Sequence, residues 1–215
     1  MPSVEGFRLK LRTFYIDLTK KKRLKKINCQ DFTIISNNCW GGLIYQSYGL
    51  PYNTPTVGLF IMAEDYIKFV SDLKKYFSMP IEFIDYKDSK WYDYQKNKAA
   101  FGSYPIGRID DIEIHFLHYK TEEEVIEKWT RRCKRINWDK LIVKFNDQNG
   151  CQYEHLKKFE ELSYRNKVCF TVKEYSDLPG ITTIKAPKSH KFIRASYEPF
   201  GKSKSIDINK LVNEL

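Results

Sequence analysis

The chain contains no apolar run near the roughly 18 residues that a membrane-crossing helix needs. Its N-terminus has no apolar signal region, which leads us to expect a cytoplasmic mature protein. The five cysteines (Cys29, Cys39, Cys133, Cys151 and Cys169) are odd in number and scattered, and none is spaced C-x-x-C. That argues against a disulfide framework and a zinc ribbon alike. Neither a phosphate-loop nor a dinucleotide glycine fingerprint occurs. No D-x-D carboxylate pair is present, since Asp110 and Asp111 are adjacent rather than spaced. No cofactor and no metal site is therefore expected. Internal repeats are absent as well. Positive charge is scarce where a nucleic-acid-binding body would need it. The net charge of +10 divides into +7 over residues 1–30, +5 over 185–204 and −1 over 205–215, which leaves −1 for the body between. Nucleic acid is a poor fit as a partner for such a body.

Aromatics at 15% and hydrophobics at 42% are enough for a packed core. The chemistry concentrates at Phe32-Thr-Ile-Ile-Ser-Asn-Asn-Cys-Trp-Gly-Gly42. Phe32 to Ile35 reads as a buried strand and Leu43 to Tyr48 as a short helix stopped by Gly49 and Pro51. A strand, a polar turn and a helix start together aim free backbone N–H groups at an anion. In open α/β sheets ligands sit at the carboxyl ends of strands. Asn37, Asn38, Cys39, Trp40, Gly41 and Gly42 are thus candidate substrate-binding residues. The plainer alternative is a capped turn with Trp40 packed over the strand. Cys39 is a further candidate nucleophile, because a helix start lowers a thiol pKa.

Elsewhere strands and helices alternate. Phe7, Leu11, Phe14 and Leu18 recur on one face of an N-terminal basic helix, which suits either an anionic membrane surface or packing against the body or another subunit. Residues 56–62 read as a strand, 63–77 as one helix ended before Pro80, and 81–84 as a short strand. Residues 85–103, rich in Lys, Asp and Tyr, read as a long excursion of the kind that carries function. In the strand 112–118, alternation sends His115 and His118 to opposite faces, so a shared metal is not expected. His118 at the strand end is the candidate general base, and His115 a satisfied core residue. Thr121 and Glu124 form a capping box that opens a helix ending in Arg131, Arg132, Lys134 and Arg135. Arg131 or Arg132 could neutralise phosphate, although dipole complementarity alone accounts for such a run. The strand 141–145 ends at Asn146 and Asp147. A helix follows at 155–162, then strands at 167–172 and 180–184, a basic tail and a short terminal helix.

This alternation implies an α/β three-layer sandwich with a mixed, partly parallel sheet. Three segments are expected: a basic amphipathic segment at 1–30, an α/β domain at 31–184 and a basic tail at 185–215. The strand ends would gather Asn37, Asn38, Cys39, Ala63-Glu64, His118, Lys120, Asn146 and Asp147 along one edge, with His118 and Asp147 as candidate catalytic groups and Lys120 and Asn146 as candidate substrate-binding residues.

Six motifs resemble one bacterial family. They are Ser-Asn-Asn-Cys-Trp-Gly-Gly (36–42), Tyr-Asn-Thr-Pro-Thr-Val-Gly-Leu (52–59), His-Phe-Leu-His-Tyr-Lys (115–120), Lys-Trp-x-Arg-Arg (128–132), Arg-Ile-Asn-Trp-Asp (135–139) and Asn-Asp (146–147). The family is that of exopolysaccharide biosynthesis proteins containing a domain of unknown function. The likeness covers roughly residues 30–185 and carries no catalytic residues over. It implies a three-layer α/β fold and a setting in capsule, exopolysaccharide or lipopolysaccharide synthesis. Together with the residues, it leads us to expect a transferase at the cytoplasmic membrane face, using a phosphate-containing donor such as a nucleotide sugar. The alternative is a non-catalytic module that binds a glycan or a partner of the assembly machinery.

Overall fold

The computed structural model describes residues 4–215. In chain order the elements are α1 (Val4–Leu24), β1 (Thr33–Ser36), α2 (Trp40–Tyr48), β2 (Phe60–Ile61), α3 (Ala63–Ser71), α4 (Leu73–Ser78), β3 (Glu82–Ile84) and α5 (Tyr92–Gln95). They continue with β4 (Ile106–Ile109), β5 (Ile112–His115), α6 (Glu122–Cys133), β6 (Leu141–Asn146), α7 (Tyr153–Glu161), β7 (Lys167–Thr171), β8 (Ile181–Thr183) and α8 (Ile208–Asn213).

The fold is α/β, with parallel and antiparallel pairing divided between two sheets. One is wholly parallel, in the order β1-β6-β7-β8. The other is antiparallel, in the order β2-β5-β4-β3. Helices cover both faces of the parallel sheet. Ile35, Val143, Phe145 and Cys169 point to the α3 and α7 side, where they join Tyr66, Phe69, Leu156 and Phe159. Ile34, Ile142, Val168 and Phe170 point the other way, to Ile44, Tyr45, Ile208 and Val212 of α2 and α8. Period-two alternation in near-continuous apolar strands thus serves two cores at once.

Strand β1 is an edge, and side chains shield it. Tyr45 Oη donates to Phe32 O at 2.8 Å and accepts from Ile34 N at 3.1 Å. Thr56 Oγ1 accepts from Ser36 N and donates to Ile34 O, at 3.1 and 3.2 Å. These bonds occupy groups that an open edge would offer to another chain.

Three local expectations change. The 56–62 segment pairs only at Phe60–Ile61, because Gly58 has φ 74° and bends the chain before it. The helix expected over 63–77 breaks at Asp72 (φ −149°, ψ 70°), whose side chain accepts from Lys75 N and starts α4 afresh. Strand β5 stops at His115, and Leu117 N and Tyr119 N turn back to the carbonyls of His115 and Phe116. His118 therefore sits in a turn rather than on a strand.

Candidate functional site

Strands β1 and β6 are neighbours in parallel register, with Ser36 opposite Lys144. Their carboxyl ends consequently bring Asn37 and Asn38 against Asn146. Asn37 Nδ2 donates to Asn146 Oδ1 at 2.8 Å. At their centre is Lys144, fully buried on the α2 side of the sheet. Its Nζ lies 2.5 Å from Glu198 Oε1 and 2.9 Å from Asn38 Oδ1. Glu198 comes from the C-terminal tail and is 4% exposed. Its Oε1 also accepts from Asn146 Nδ2 at 2.8 Å and Asn38 Nδ2 at 3.1 Å. Gln148 Oε1 accepts from both amides, at 2.9 and 3.1 Å, while Gln148 Nε2 donates to Ile193 O at 2.6 Å. Burial pushes the Lys144 ammonium below its usual range, and the Glu198 carboxylate opposes that shift. An ion pair this dry is sustained only when its remaining polar valences are met, as the three amides do here.

A cavity of about 850 Å³ opens beside this cluster. Asn38, Gln148 and Glu198 line its polar end. The antiparallel sheet and the turn after β5 contribute Phe60, Leu117 and His118, and the 92–104 excursion contributes Tyr94, Gln95, Lys98, Phe101 and Tyr104. Helix α1 adds Leu9 and Arg12, and the tail adds Phe192 and Ala195. Both basic ends of the chain thus help to wall the site. Arg12 donates to Glu198 O at 2.5 Å and to Ala195 O. Burial lowers its guanidinium to about 10, and Nε is left without a partner among the described residues. Lys98, over the Tyr94 ring at 4.5 Å, is the second cation on the wall, and desolvation lowers its pKa. Gln95 Oε1 is buried and unpaired among the described residues. His118 is exposed, and its imidazole makes no hydrogen bond among the described residues, so it is free to meet a substrate.

The other sequence candidates have different roles. Helix α2 begins at Trp40, three residues earlier than the sequence pattern suggests, so Gly41 and Gly42 lie in its first turn. Trp40 N–H is already taken by Asn38 Oδ1 at 3.1 Å, and Gly41 N–H by Ser36 Oγ at 3.2 Å. A Cβ on Gly41 would lie 3.3 Å from Ile34 Cγ2, so this glycine lets the helix sit close on β1. On Gly42 it would lie 3.2 Å from Val57 Cγ1. Trp40 itself packs over Phe170 and donates Nε1 to Pro199 O at 2.8 Å. Cys39 is the residue before α2, but burial raises its thiol to about 11, so the thiolate expected of a nucleophile is disfavoured. Asp147 is already engaged, because its two oxygens accept from Val172 N and Ile193 N, at 2.8 and 2.7 Å. It ties the tail to the sheet.

Lys120 is exposed on the turn before α6 and does not line the cavity. Arg131 is exposed and pairs with Glu127 at 3.4 Å. Arg132 is buried, donating to Tyr119 Oη at 2.6 Å and facing the Tyr52 ring, and it too stands outside the cavity. His115 is a core residue stacked on Phe60 at 4.5 Å, yet neither ring nitrogen has a partner among the described residues. Among the described residues, no three His, Cys, Asp or Glu side chains gather as a metal ion would require.

A model of one protein family matches residues 10–213, nearly the whole chain, and its description is "Domain of unknown function (DUF1919)". The chain belongs to the DUF1919 family. It is also similar to an uncharacterised protein of Haemophilus influenzae, 33% identical over 166 residues, which is 77% of this chain and 72% of the relative. The DUF1919 match extends beyond the 30–185 span of the motifs and takes in most of α1 and the tail, the two segments that close the cavity.

Sequence reasoning missed Arg12, Gln95, Lys98, Lys144, Gln148 and Glu198 in this DUF1919 chain. Lys144 alone left a trace, as a single charge inside the apolar run Leu141-Ile-Val-Lys-Phe145. A lysine in a doubly covered parallel strand demands a buried partner. Its partner Glu198 lies 54 residues further on, in what reads as loop.

Proposed function

We propose that the cavity binds a phosphate-containing sugar donor such as a nucleotide sugar, and that the protein is a transferase of bacterial surface polysaccharide synthesis. The observation that carries the binding reading is the cavity itself. It lies at the carboxyl ends of β1 and β6, is largely apolar and aromatic, and has a few convergent polar groups. Ligand sites in open α/β sheets have this position and this make-up. Phe60, Tyr94, Phe101 and Tyr104 offer ring faces to a base or sugar, and the unpaired Gln95 Oε1 offers an acceptor to a hydroxyl or amide. Arg12 and Lys98 supply the positive charge that a diphosphate needs, in place of Arg131 and Arg132. The His118 imidazole takes the proton of the acceptor hydroxyl as that oxygen forms the new bond to the sugar. The diphosphate leaves with the electrons of the broken bond, its charge met by Arg12 and Lys98. The polysaccharide setting rests on the motif resemblance.

Calorimetry against a nucleotide-sugar panel tests the donor. Lys98→Gln should weaken binding by about 1.5–3 kcal/mol, the contribution of one charge-assisted hydrogen bond. His118→Ala should keep donor affinity and lose turnover. Equal affinity in wild type and Lys98→Gln would remove the phosphate from this wall. The aromatic excursion fits a second reading, a glycan-binding module without turnover. Glycan binding with no product formed from any donor would decide for that one.

A further inference from the structure

Helix α1 is packed with its apolar stripe facing outward. At 100° per residue, Phe7, Leu11, Phe14 and Leu18 fall within one narrow sector, and they are 57%, 53%, 69% and 71% exposed. The opposite, inward sector is polar and firmly held. Glu5 accepts from Ser196 N and Oγ, Arg12 reaches the tail carbonyls, and Arg23 donates to Ser47 O. Only Ile16 is a buried hydrophobic of this helix. The hydrogen bonds fix the rotation of α1, so the stripe cannot turn inward without breaking them. Turning charged groups inward while exposing this apolar stripe leaves a surface in need of an occupant.

We propose that this face docks on an anionic lipid bilayer. The surrounding charge selects that occupant. Lys10 and Lys21 border the stripe on one side and Lys22 on the other, all exposed, with Lys25 and Lys26 just beyond the helix. Asp17, the acid nearby, is paired with Lys20. An apolar face flanked by lysines is the pattern of a helix lying in the plane of a bilayer interface. A second copy about a two-fold axis would instead press the two lysine borders together. No described helix is long and apolar enough to cross a membrane, so this contact is peripheral. The inference stands apart from the donor reading, since the stripe and the cavity lie on different faces of α1.

The test is co-sedimentation of the full chain with vesicles of phosphatidylcholine alone or mixed with phosphatidylglycerol. Wild type should partition to the mixed vesicles and hardly to the neutral ones. Phe14→Ser with Leu18→Ser should lower that partition about tenfold or more by removing inserted apolar surface. Lys21→Gln and Lys22→Gln should each lower it about fivefold. All four positions are exposed, so thermal melts should match wild type. Equal uptake by neutral vesicles, or unchanged partition of the serine variant, would overturn the proposal. So would light scattering that shows a wild-type dimer split by the serine substitutions, which would make a second copy the occupant.

Discussion

Lys144 and Glu198 set the character of the site at the residue scale. Each is buried, and each satisfies polar groups of the other's neighbours. Lys144→Met alone should cost about 3–5 kcal/mol, because it strands a buried carboxylate. Adding Glu198→Gln should recover part of that loss, and urea unfolding of wild type, the two single variants and the double variant measures both effects. A double variant as unstable as the sum of the two singles would deny the coupling. His115 offers a pH test. Desolvation lowers its pKa from 6.5 to about 3 in the folded chain. Between those values the unfolded chain holds a proton that the folded chain lacks. This contribution to stability is full above pH 6.5 and declines by about 1.4 kcal/mol per pH unit as pH falls through the window. His115→Phe keeps the stack on Phe60 and removes the titration. Its stability should gain on wild type as pH drops from 7 to about 5, in proportion to that slope. Parallel pH–stability curves for the two proteins would contradict the account.

Elements owe their placement to a few tethers. Asp147 holds Ile193, and with it the tail that carries Phe192, Ala195 and Glu198 to the cavity. Asp147→Asn replaces one acceptor oxygen by a donor facing an N–H, so it should cost about 1–3 kcal/mol. Hydrogen exchange at the Ile193 amide should quicken, whereas unchanged protection there would restore Asp147 as a candidate base. Helix α6 was legible from sequence because its signal is local: Thr121 Oγ1 accepts from Glu124 N at 3.2 Å. The approach of Asn37, Asn38 and Asn146 was legible in part, as polar residues following two apolar strands. The break at Asp72 was not, since the apolar period runs straight through it. Nor was the separation into two sheets, which depends on pairings between distant segments. Gly41 and Gly42 were legible as part of the turn, and in the structure they allow close approach to Ile34 and Val57.

On the scale of the whole molecule, the two ends of the chain close the site that the body begins. Charge counting separated them from a neutral core, yet Arg12 and Glu198 meet at the cavity wall. Removing α1 would therefore open the cavity and uncover α2, against which it packs, which makes surface substitutions the better probe of its outer face. The central claim is that this cavity takes a phosphate-containing sugar donor. Leu117 lies on its wall, half-buried and outside the Lys144 network, so Leu117→Trp should fill space without disturbing the ion pair. Calorimetry of wild type and Leu117→Trp against the nucleotide-sugar panel, with melts as control, is the most direct measurement. The account predicts a donor that binds wild type and is excluded from Leu117→Trp at an unchanged Tm. A donor bound equally by both proteins, or a panel with no wild-type ligand at all, would contradict it.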